Sequence, residues 1–195
     1  MSAQANALQP MQIVRPAEPH LPSYIAALEQ GWSSDPVRGA VAAREELQEI
    51  AADQQRFLSL MEDREAKGAP VKLPDGSIVP RLPGYTRWLW DGEFCGEINF
   101  RWQPGTTQLP PTCLGHIGYG VVPWKRNRGY AKQALSQFLQ EVRSEGLPFI
   151  EITTDKTNVG SQRAIEANGG VLVEEFIKPL QHGGKPGLRF RIHFR

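Results

Sequence analysis

Residues 116–131, HIGYGVVPWKRNRGYA, decide the fold, because an apolar strand ends here and a helix begins after a short basic loop. Six of these residues fit the pattern Gln/Arg-x-x-Gly-x-Gly/Ala and are called the anion loop below: Arg126, Asn127, Arg128, Gly129, Tyr130 and Ala131. Small residues in this pattern let a ligand approach the main chain. The first N–H groups of the helix have no intrahelical partner, and the helix dipole makes this end positive. The loop is therefore predicted to bind an anion, with Lys125 and Lys132 adding to the positive charge.

The helix after the anion loop is predicted from the spacing of its apolar residues. They recur at helical intervals and form one continuous face: Ala131, Ala134, Leu135, Phe138, Leu139 and Val142. Gly146 and Pro148 end this helix, and residues 149–154, FIEITT, have the composition of a strand. The predicted order is strand, anion loop, helix, strand.

A second segment, residues 158–170 with the sequence NVGSQRAIEANGG, follows that strand. Together with the anion loop it resembles the motifs of the GNAT N-acetyltransferases, in which an Asn-x-x-Ser/Ala segment leads to Gly-Phe; Gly170 stands here in place of the Phe. Val121 and Pro123 match the Val-x-Pro at the end of the family's strand. The resemblance extends over residues 13–195. Within the family, the wider sequence pattern is similar to that of a bacterial subgroup of predicted acetyltransferases.

The resemblance implies an α/β (α+β) fold, the GNAT acyl-CoA N-acyltransferase fold, with a mixed, mainly antiparallel central sheet flanked by helices. It also implies that acetyl-CoA is the cosubstrate and that its acetyl group passes directly to a primary amine of a small molecule or a protein N-terminus. By analogy with the family, the pyrophosphate lies on the anion loop and the pantetheine arm lies against the end of the strand. The residues expected to bind CoA are Val121, Val122, Arg126, Asn127, Arg128, Gly129, Tyr130, Ala131, Asn158 and Ser161.

Three residues are candidates for the general base that deprotonates the amine. His116 comes first, because it lies on the strand that leads to the expected thioester site and has a pKa near neutrality; the alternative is a histidine that is hydrogen-bonded within the sheet. Glu97 on the preceding strand and Asp155 at the end of the next one are the other candidates. Either carboxylate could act through water, bind the positive charge of the amine, or simply be solvated.

The general acid that protonates the departing thiolate is less obvious. Many family members have a Tyr seven residues after the Asn, but this chain has Ile165 there. Ser161 is the nearest hydroxyl in the matching segment, and water is the alternative, because a thiolate is a good leaving group. Asn158 is interpreted either as a contact to the CoA arm or as the N-cap of the following helix.

Composition and sequence patterns argue against several classes of function. A length of 195 residues with 40% hydrophobic residues suits a single domain, and a net charge of +1 gives no field for nucleic acid. The sequence has no apolar run of membrane-spanning length, no secretory leader and no metal-ligand pattern, so we expect a cytoplasmic protein without metal, with a homodimer left open. The alternatives to an enzyme are a CoA-binding sensor or assembly module and, less compatible with the charge, a nucleic-acid module that uses the basic strand 189–195.

The remaining organisation is predicted from local patterns. Residues 1–12 lack apolar periodicity and are expected to be disordered, and residues 13–195 are expected to form one GNAT domain. Helical spacing between residues 41 and 67 predicts one long helix or two joined helices. The proline-rich residues 68–84 predict a long surface loop, of the kind that often contacts substrates. The predicted strands cover residues 13–17, 85–90, 93–102, 115–122, 171–176 and 188–194.

Overall fold

The computed structural model describes residues 10–73 and 76–194. Its helices are α1 (Leu21–Glu29), α2 (Ala40–Ala52), α3 (Gln54–Leu60), α4 (Tyr130–Val142) and α5 (Val159–Glu166). Its strands are β1 (Gln12–Val14), β2 (Glu62–Asp63), β3 (Val71–Lys72), β4 (Ile78–Val79), β5 (Gly84–Trp90), β6 (Phe94–Arg101), β7 (Ile117–Val121), β8 (Phe149–Asp155), β9 (Val171–Ile177) and β10 (Pro186–His193). None of these helices is long and apolar enough to cross a membrane.

The strands form two main antiparallel sheets. One has the order β1-β5-β6-β7, with β2 added to β5, and the other has the order β8-β10-β9. They meet beside the start of β7, where the His116 N–H donates to the Glu151 carbonyl at 2.8 Å and the Glu151 N–H donates to His116 Nδ1 at 3.0 Å. No ladder joins β7 to β8 within the described residues, so a gap, called the splay below, separates these strands toward their carboxyl ends.

The two faces of the first sheet pack on different helices. On the side called the α4 face, Ile98, Phe100 and Ile117 join the apolar residues of α4. On the side called the α1 face, Trp88 and Phe94 pack with aromatic and aliphatic residues of α1 and α3. Because side chains alternate along a strand, Glu97, Asn99 and Arg101 of β6 lie on the α1 face. The alternation therefore places three polar side chains opposite the main core.

Most predicted elements are present, with three corrections. The helical segment is two helices, broken at Asp53, whose side chain caps α3 by accepting from the Arg56 N–H at 2.9 Å. The helical prediction for residues 62–67 is wrong, because Glu62 and Asp63 pair with the start of β5. The predicted loop 68–84 contains the short hairpin of β3 and β4. The expected disorder is wrong for Met11, which is buried, and for Gln12, which begins β1; residues 1–9 lie outside the described residues.

Candidate active site

The anion loop leads from β7 into α4 with its main chain unobstructed. Gly129 has φ +77° and Asn127 has φ +61°, both in the left-handed region that favours glycine and tolerates asparagine. No side chain caps the start of α4, and the first helical bond of this turn runs from the Gln133 N–H to the Gly129 carbonyl at 3.1 Å. The N–H groups at the start of α4 are therefore available to an anion.

Asp91, in the turn between β5 and β6, anchors both ends of this loop. Its carboxylate accepts two hydrogen bonds of 2.9 Å from Lys125 Nζ and one of 2.6 Å from the Tyr130 hydroxyl. Burial alone would raise the pKa of Asp91, but hydrogen bonds from Tyr130 and Lys125 lower it. The prediction that Lys125 attracts the anion is wrong, since this side chain is 4% exposed and ion-paired. Sequence reasoning missed Asp91, because it lies 34 residues before Lys125.

The exposed edge of β7 can be deduced from its pairing with β6. The Arg101 N–H donates to the His116 carbonyl at 2.9 Å, and the Val122 N–H donates to the Cys95 carbonyl at 3.0 Å. Hydrogen-bonded pairs alternate in an antiparallel ladder, so the main-chain groups of the even-numbered residues face β6. Those of Tyr119 and Val121 face the splay. The arrangement supports Val121 as a main-chain contact, contradicts the same prediction for Val122, and adds Tyr119.

The carbonyl groups of Val122 and Val121 also accept hydrogen bonds from different partners. The Val122 carbonyl accepts from the Lys125 N–H at 3.0 Å, so both main-chain groups of Val122 are used inside the fold. The Val121 carbonyl accepts from Arg126 Nε at 3.2 Å, which fixes this exposed side chain beside the anion loop. The Val121 N–H therefore remains the group that could face a ligand.

Two hydroxyls meet where α5 begins, on the α4 face of β7. Tyr119 Oη and Ser161 Oγ are 2.8 Å apart. Burial raises the pKa of Tyr119 to about 12, partly offset by the hydrogen bond with Ser161. Sequence reasoning found Ser161 but missed Tyr119, because the two lie on elements 42 residues apart. A tyrosine hydroxyl thus comes from β7, although α5 has none at residue 165.

The second motif keeps the Asn158 of its family pattern and departs from that pattern at Ile165 and Gly170. Asn158 Oδ1 accepts from the Ser161 N–H at 3.0 Å, so the N-cap interpretation is confirmed. Ile165 is fully buried. A Cβ at residue 170 would lie 2.3 Å from Ile165 Cγ2 and 2.9 Å from the Ile165 carbonyl oxygen, so Gly170 is required where the family has Phe. The position of Ile165 therefore accounts for Gly170.

His116 and Asp155 are poorly placed for proton transfer. His116 is 1% exposed, its Nδ1 accepts from Glu151, and its Nε2 has no hydrogen-bond partner among the described residues. Burial lowers the pKa of His116 to about 4. Asp155 forms an ion pair with Lys178 at the end of β8. These contacts favour the interpretation of His116 as a structural residue. His116 lies at the narrow end of the splay, where the two sheets meet.

Glu97 has a different environment on the α1 face of β6. It is 5% exposed, and burial raises its pKa, while hydrogen bonds with Ser34 and Asn99 and the charge of Arg101 act in the opposite direction. Nearby, the Tyr24 hydroxyl donates to Glu46. Burial, and next the charge of Glu97, raise the pKa of Glu46 to about 7. Two carboxyl groups with raised pKa values therefore lie on this face, and the sequence had pointed to only one of them.

A cleft of about 530 Å³ opens on the same face and is lined by Ser34 and Asn99, which both hydrogen-bond to Glu97. Asp63, Arg81, Thr86, Arg101 and Thr112 supply further polar lining, and the segment 68–84 supplies much of the apolar wall. Arg101 connects this lining to β7, because a Cβ at Gly118 would lie 2.8 Å from Arg101 Nη2. The loop expected to contact a substrate does line a cleft.

Comparison with known proteins identifies the family. The model of the GNAT acetyltransferase domain matches residues 45–171. No curated protein sequence matches the chain.

Solved structures show the same fold at low sequence identity. An acetyltransferase from Salmonella typhimurium that modifies the N-terminal serine of a 50S ribosomal subunit protein has a TM-score of 0.60 and 12% identity, with 95% of each chain covered. A microcin self-immunity acetyltransferase in complex with acetyl-CoA and AMP has a TM-score of 0.58 and 12% identity, covering 94% of this chain and 92% of the other. A ribosomal alpha-N-protein acetyltransferase in complex with coenzyme A has a TM-score of 0.58 and 13% identity, covering 96% and 98%.

The family match covers well over half of the chain, and the mixed architecture with mainly antiparallel strands agrees with it. The predictions of family, fold and enzyme class are therefore confirmed. The chain belongs to the GNAT acetyltransferases and is an acetyl-CoA-dependent acyltransferase.

Proposed function

We propose that the protein binds acetyl-CoA in the splay and transfers its acetyl group directly to a primary amine held in the cleft on the α1 face. The observation that carries this proposal is that the two sites meet at β7. The splay borders the edge of this strand, and Arg101, which lines the cleft, lies against the face of the strand at Gly118. A thioester that lies along β7 would then be accessible to an amine in the cleft, as proximity catalysis requires. The acceptor is a small molecule or a protein N-terminus.

The cosubstrate would be held mainly by main-chain groups. The N–H groups of residues 127–131 bind the pyrophosphate, assisted by the exposed Arg126 and Arg128. The pantetheine arm runs along the edge of β7 toward its closed end and bonds to Val121 and Tyr119. Since a strand rises about 3.3 Å per residue, the thioester would lie several ångströms from the loop, close to Tyr119 and Gly118.

The amine would lose its proton to Glu97. The exposed Ser34 lines the cleft and hydrogen-bonds to Glu97, so its hydroxyl can pass the proton from the amine to the buried carboxylate. A carboxylate with a raised pKa is a stronger base than one in water. The neighbouring Glu46 has a pKa of about 7 and lies closer to solvent, which suits exchange of that proton with water.

The neutral nitrogen then attacks the thioester carbon, the C–S bond breaks, the new amide nitrogen releases its extra proton to solvent, and the CoA thiolate receives a proton. Ser161 Oγ would donate to the sulfur, with Tyr119 donating to Ser161 in turn. The high pKa of Tyr119 keeps its hydroxyl protonated at neutral pH. This pair supplies the hydroxyl that Ile165 lacks and so removes the sequence argument for an inactive CoA sensor.

The proposal is tested by Gly129→Glu. A side chain at this left-handed position strains the loop, and a carboxylate there repels phosphate, so CoA binding should be lost. The matched control is Gly146→Glu, which imposes the same strain at φ +78°, beyond the end of α4. CoA should raise the melting temperature of the parent and the control but not of Gly129→Glu. An unchanged thermal shift in Gly129→Glu would show that the pyrophosphate binds elsewhere.

A further inference from the structure

Arg101 in the cleft is a cation whose charge acts on the buried Glu97 without a direct salt bridge between the two side chains. Its guanidinium donates to the neutral Asn99 Oδ1 and approaches Cys113 Sγ at 3.9 Å. Within residues 10–73 and 76–194 it forms no ion pair with a carboxylate. Two other half-buried or buried arginines show the contrast: Arg87 pairs with two glutamates, and so does Arg189.

A half-buried guanidinium in a partly apolar cleft is costly unless an anion balances it. The second cation in the cleft, Arg81, donates to the Ala69 carbonyl and lies 3.9 Å from Asp63. Arg101 is therefore the cation left to bind a ligand. The planar fork of arginine matches the two oxygens of a carboxylate.

Asn99 fixes how far this cation lies from the proposed base. Its side chain contacts Arg101 on one side and Glu97 on the other. The width of one amide group thus separates the guanidinium from the carboxylate. A ligand whose amine faces Glu97 and whose anion faces Arg101 must carry both groups a few bonds apart, as an α-amino acid does.

Five aliphatic side chains line another part of the cleft: Leu60, Val71, Leu73, Val79 and Leu82. They match an aliphatic or aromatic side chain of a ligand, because moving apolar surface out of water is favourable. The charged groups in the lining besides Arg101 are Asp63 and Arg81, which lie 3.9 Å from each other.

We propose that the acceptor is a free α-amino acid with an apolar side chain, bound by a salt bridge between its carboxylate and Arg101 and by its amine beside Glu97. This inference rests on the proposed function. It narrows the acceptor class and distinguishes the amino acid from a protein N-terminus, whose first residue has an amide in place of the carboxylate. Gly118 contributes by leaving the Arg101–Asn99 pair room to lie against β7.

The experiment compares leucine, leucinamide and 3-methylbutylamine as acceptors, together with the same three forms of phenylalanine. We expect kcat/KM for each amino acid to exceed that for its amide and its decarboxylated amine by about 100-fold, the cost of leaving a buried charge unpaired. Arg101→Gln should abolish the preference, so that the variant uses each amino acid and its amide with kcat/KM values within a few fold of each other. The control, Arg191→Gln, removes a half-buried arginine of β10 that is paired with Glu151 and should leave the preference intact.

Each outcome decides the inference. Equal use of leucine and leucinamide by the parent overturns the role of the carboxylate and leaves the proposed function standing; this comparison needs no variant and so holds if Arg101→Gln fails to fold. Acetylation of other amines but of neither amino acid also overturns the inference alone. A parent that binds CoA yet acetylates no amine in a broad panel overturns both proposals.

Discussion

On the α4 side of β7, the proposed cosubstrate site consists mainly of main-chain groups from one continuous stretch, residues 119–131, whereas on the α1 side the acceptor site consists of side chains from distant segments. Ser34 follows α1, Glu46 lies on α2, and Asn99 and Arg101 lie on β6. The carboxylate nearest the anion loop, Asp91, is fully occupied by Lys125 and Tyr130. On the acceptor side, Glu97 and Arg101 are hydrogen-bonded to the neutral Ser34 and Asn99, and neither forms a direct ion pair within the described residues.

This difference shows how one fold can keep the same way of binding the cosubstrate while its recognition of the acceptor varies. Binding of a phosphate by N–H groups depends on a main-chain conformation, which Gly129 permits and Asp91 stabilises. Recognition of an acceptor depends on which side chains the surrounding loops and helices contribute, and these can change while the sheet remains the same. The chemistry of the acceptor side is therefore specific to this chain.

The largest effect is expected from Glu97→Gln, which removes the proposed base and keeps its shape. Turnover should fall by about 10²–10⁴-fold, while the affinity for acetyl-CoA, which depends on the other side of β7, should not change. Because burial raises the pKa of Glu97, parent activity should rise with pH as this carboxyl loses its proton. Steady-state rates and CoA thermal shifts across a pH series measure both effects, and the variant should lose that rise.

The control for this test is Glu45→Gln on α2, adjacent to Glu46 but directed to solvent and paired with Arg38. It should leave turnover within a few fold of the parent. If Glu97→Gln is equally mild, the amine is deprotonated by another group, and the proposed division of roles between the two sides of β7 is wrong.

The sequence predicted one side of β7 far better than the other. The anion loop, α4 and Ser161 were predictable because their signals lie within about one helix length: apolar spacing, a glycine at the start of α4, and an Asn-x-x-Ser segment. Asp91, Arg101 and Glu46 were not predictable as site residues, since their partners are distant in sequence. Nothing near Arg101 in the chain indicates that it lacks a carboxylate partner.

The incorrect predictions have physical causes of the same kind. Val122 was expected to face CoA, but its N–H donates to the Cys95 carbonyl of β6. Whether the odd- or even-numbered residues of β7 face β6 depends on the register of the sheet. The helical spacing after residue 61 was overridden when Glu62 and Asp63 paired with β5. His116 has a suitable ordinary pKa, yet its burial at the junction of the two sheets was not visible from its neighbours.

An intermediate effect on stability is expected from His116→Asn. The pKa of His116 falls from 6.5 to about 4 in the folded protein because burial disfavours its charge. The unfolded chain therefore binds a proton below pH 6.5 that the folded protein refuses until about pH 4. His116 thus costs the parent about 3 kcal/mol of stability as the pH falls through this window. Asparagine can accept the Glu151 N–H and cannot ionise, so its unfolding free energy should fall less between pH 7 and 4.

Denaturant unfolding of parent and variant at several pH values measures this difference. Turnover at pH 7.5 serves as the internal control, because a structural residue at the closed end of the splay should affect it only a few fold. If the unfolding free energies of the two proteins depend on pH in the same way, His116 is not the group whose protonation lowers the stability. A loss of turnover as large as that of Glu97→Gln would return His116 to the role of base.

The smallest effects are expected on the cosubstrate side, from Ser161→Ala and Tyr119→Phe. Each removes one hydroxyl of the pair that would donate to the thiolate, and a thiolate leaves readily with little help. Loss of one hydrogen bond corresponds to a decrease of up to about tenfold in kcat, with the KM for acetyl-CoA unchanged. Because Tyr119 would act through Ser161, the double variant should be no slower than Ser161→Ala alone. Additive losses would mean that the two hydroxyls act independently, and no loss in either variant would assign the proton to water.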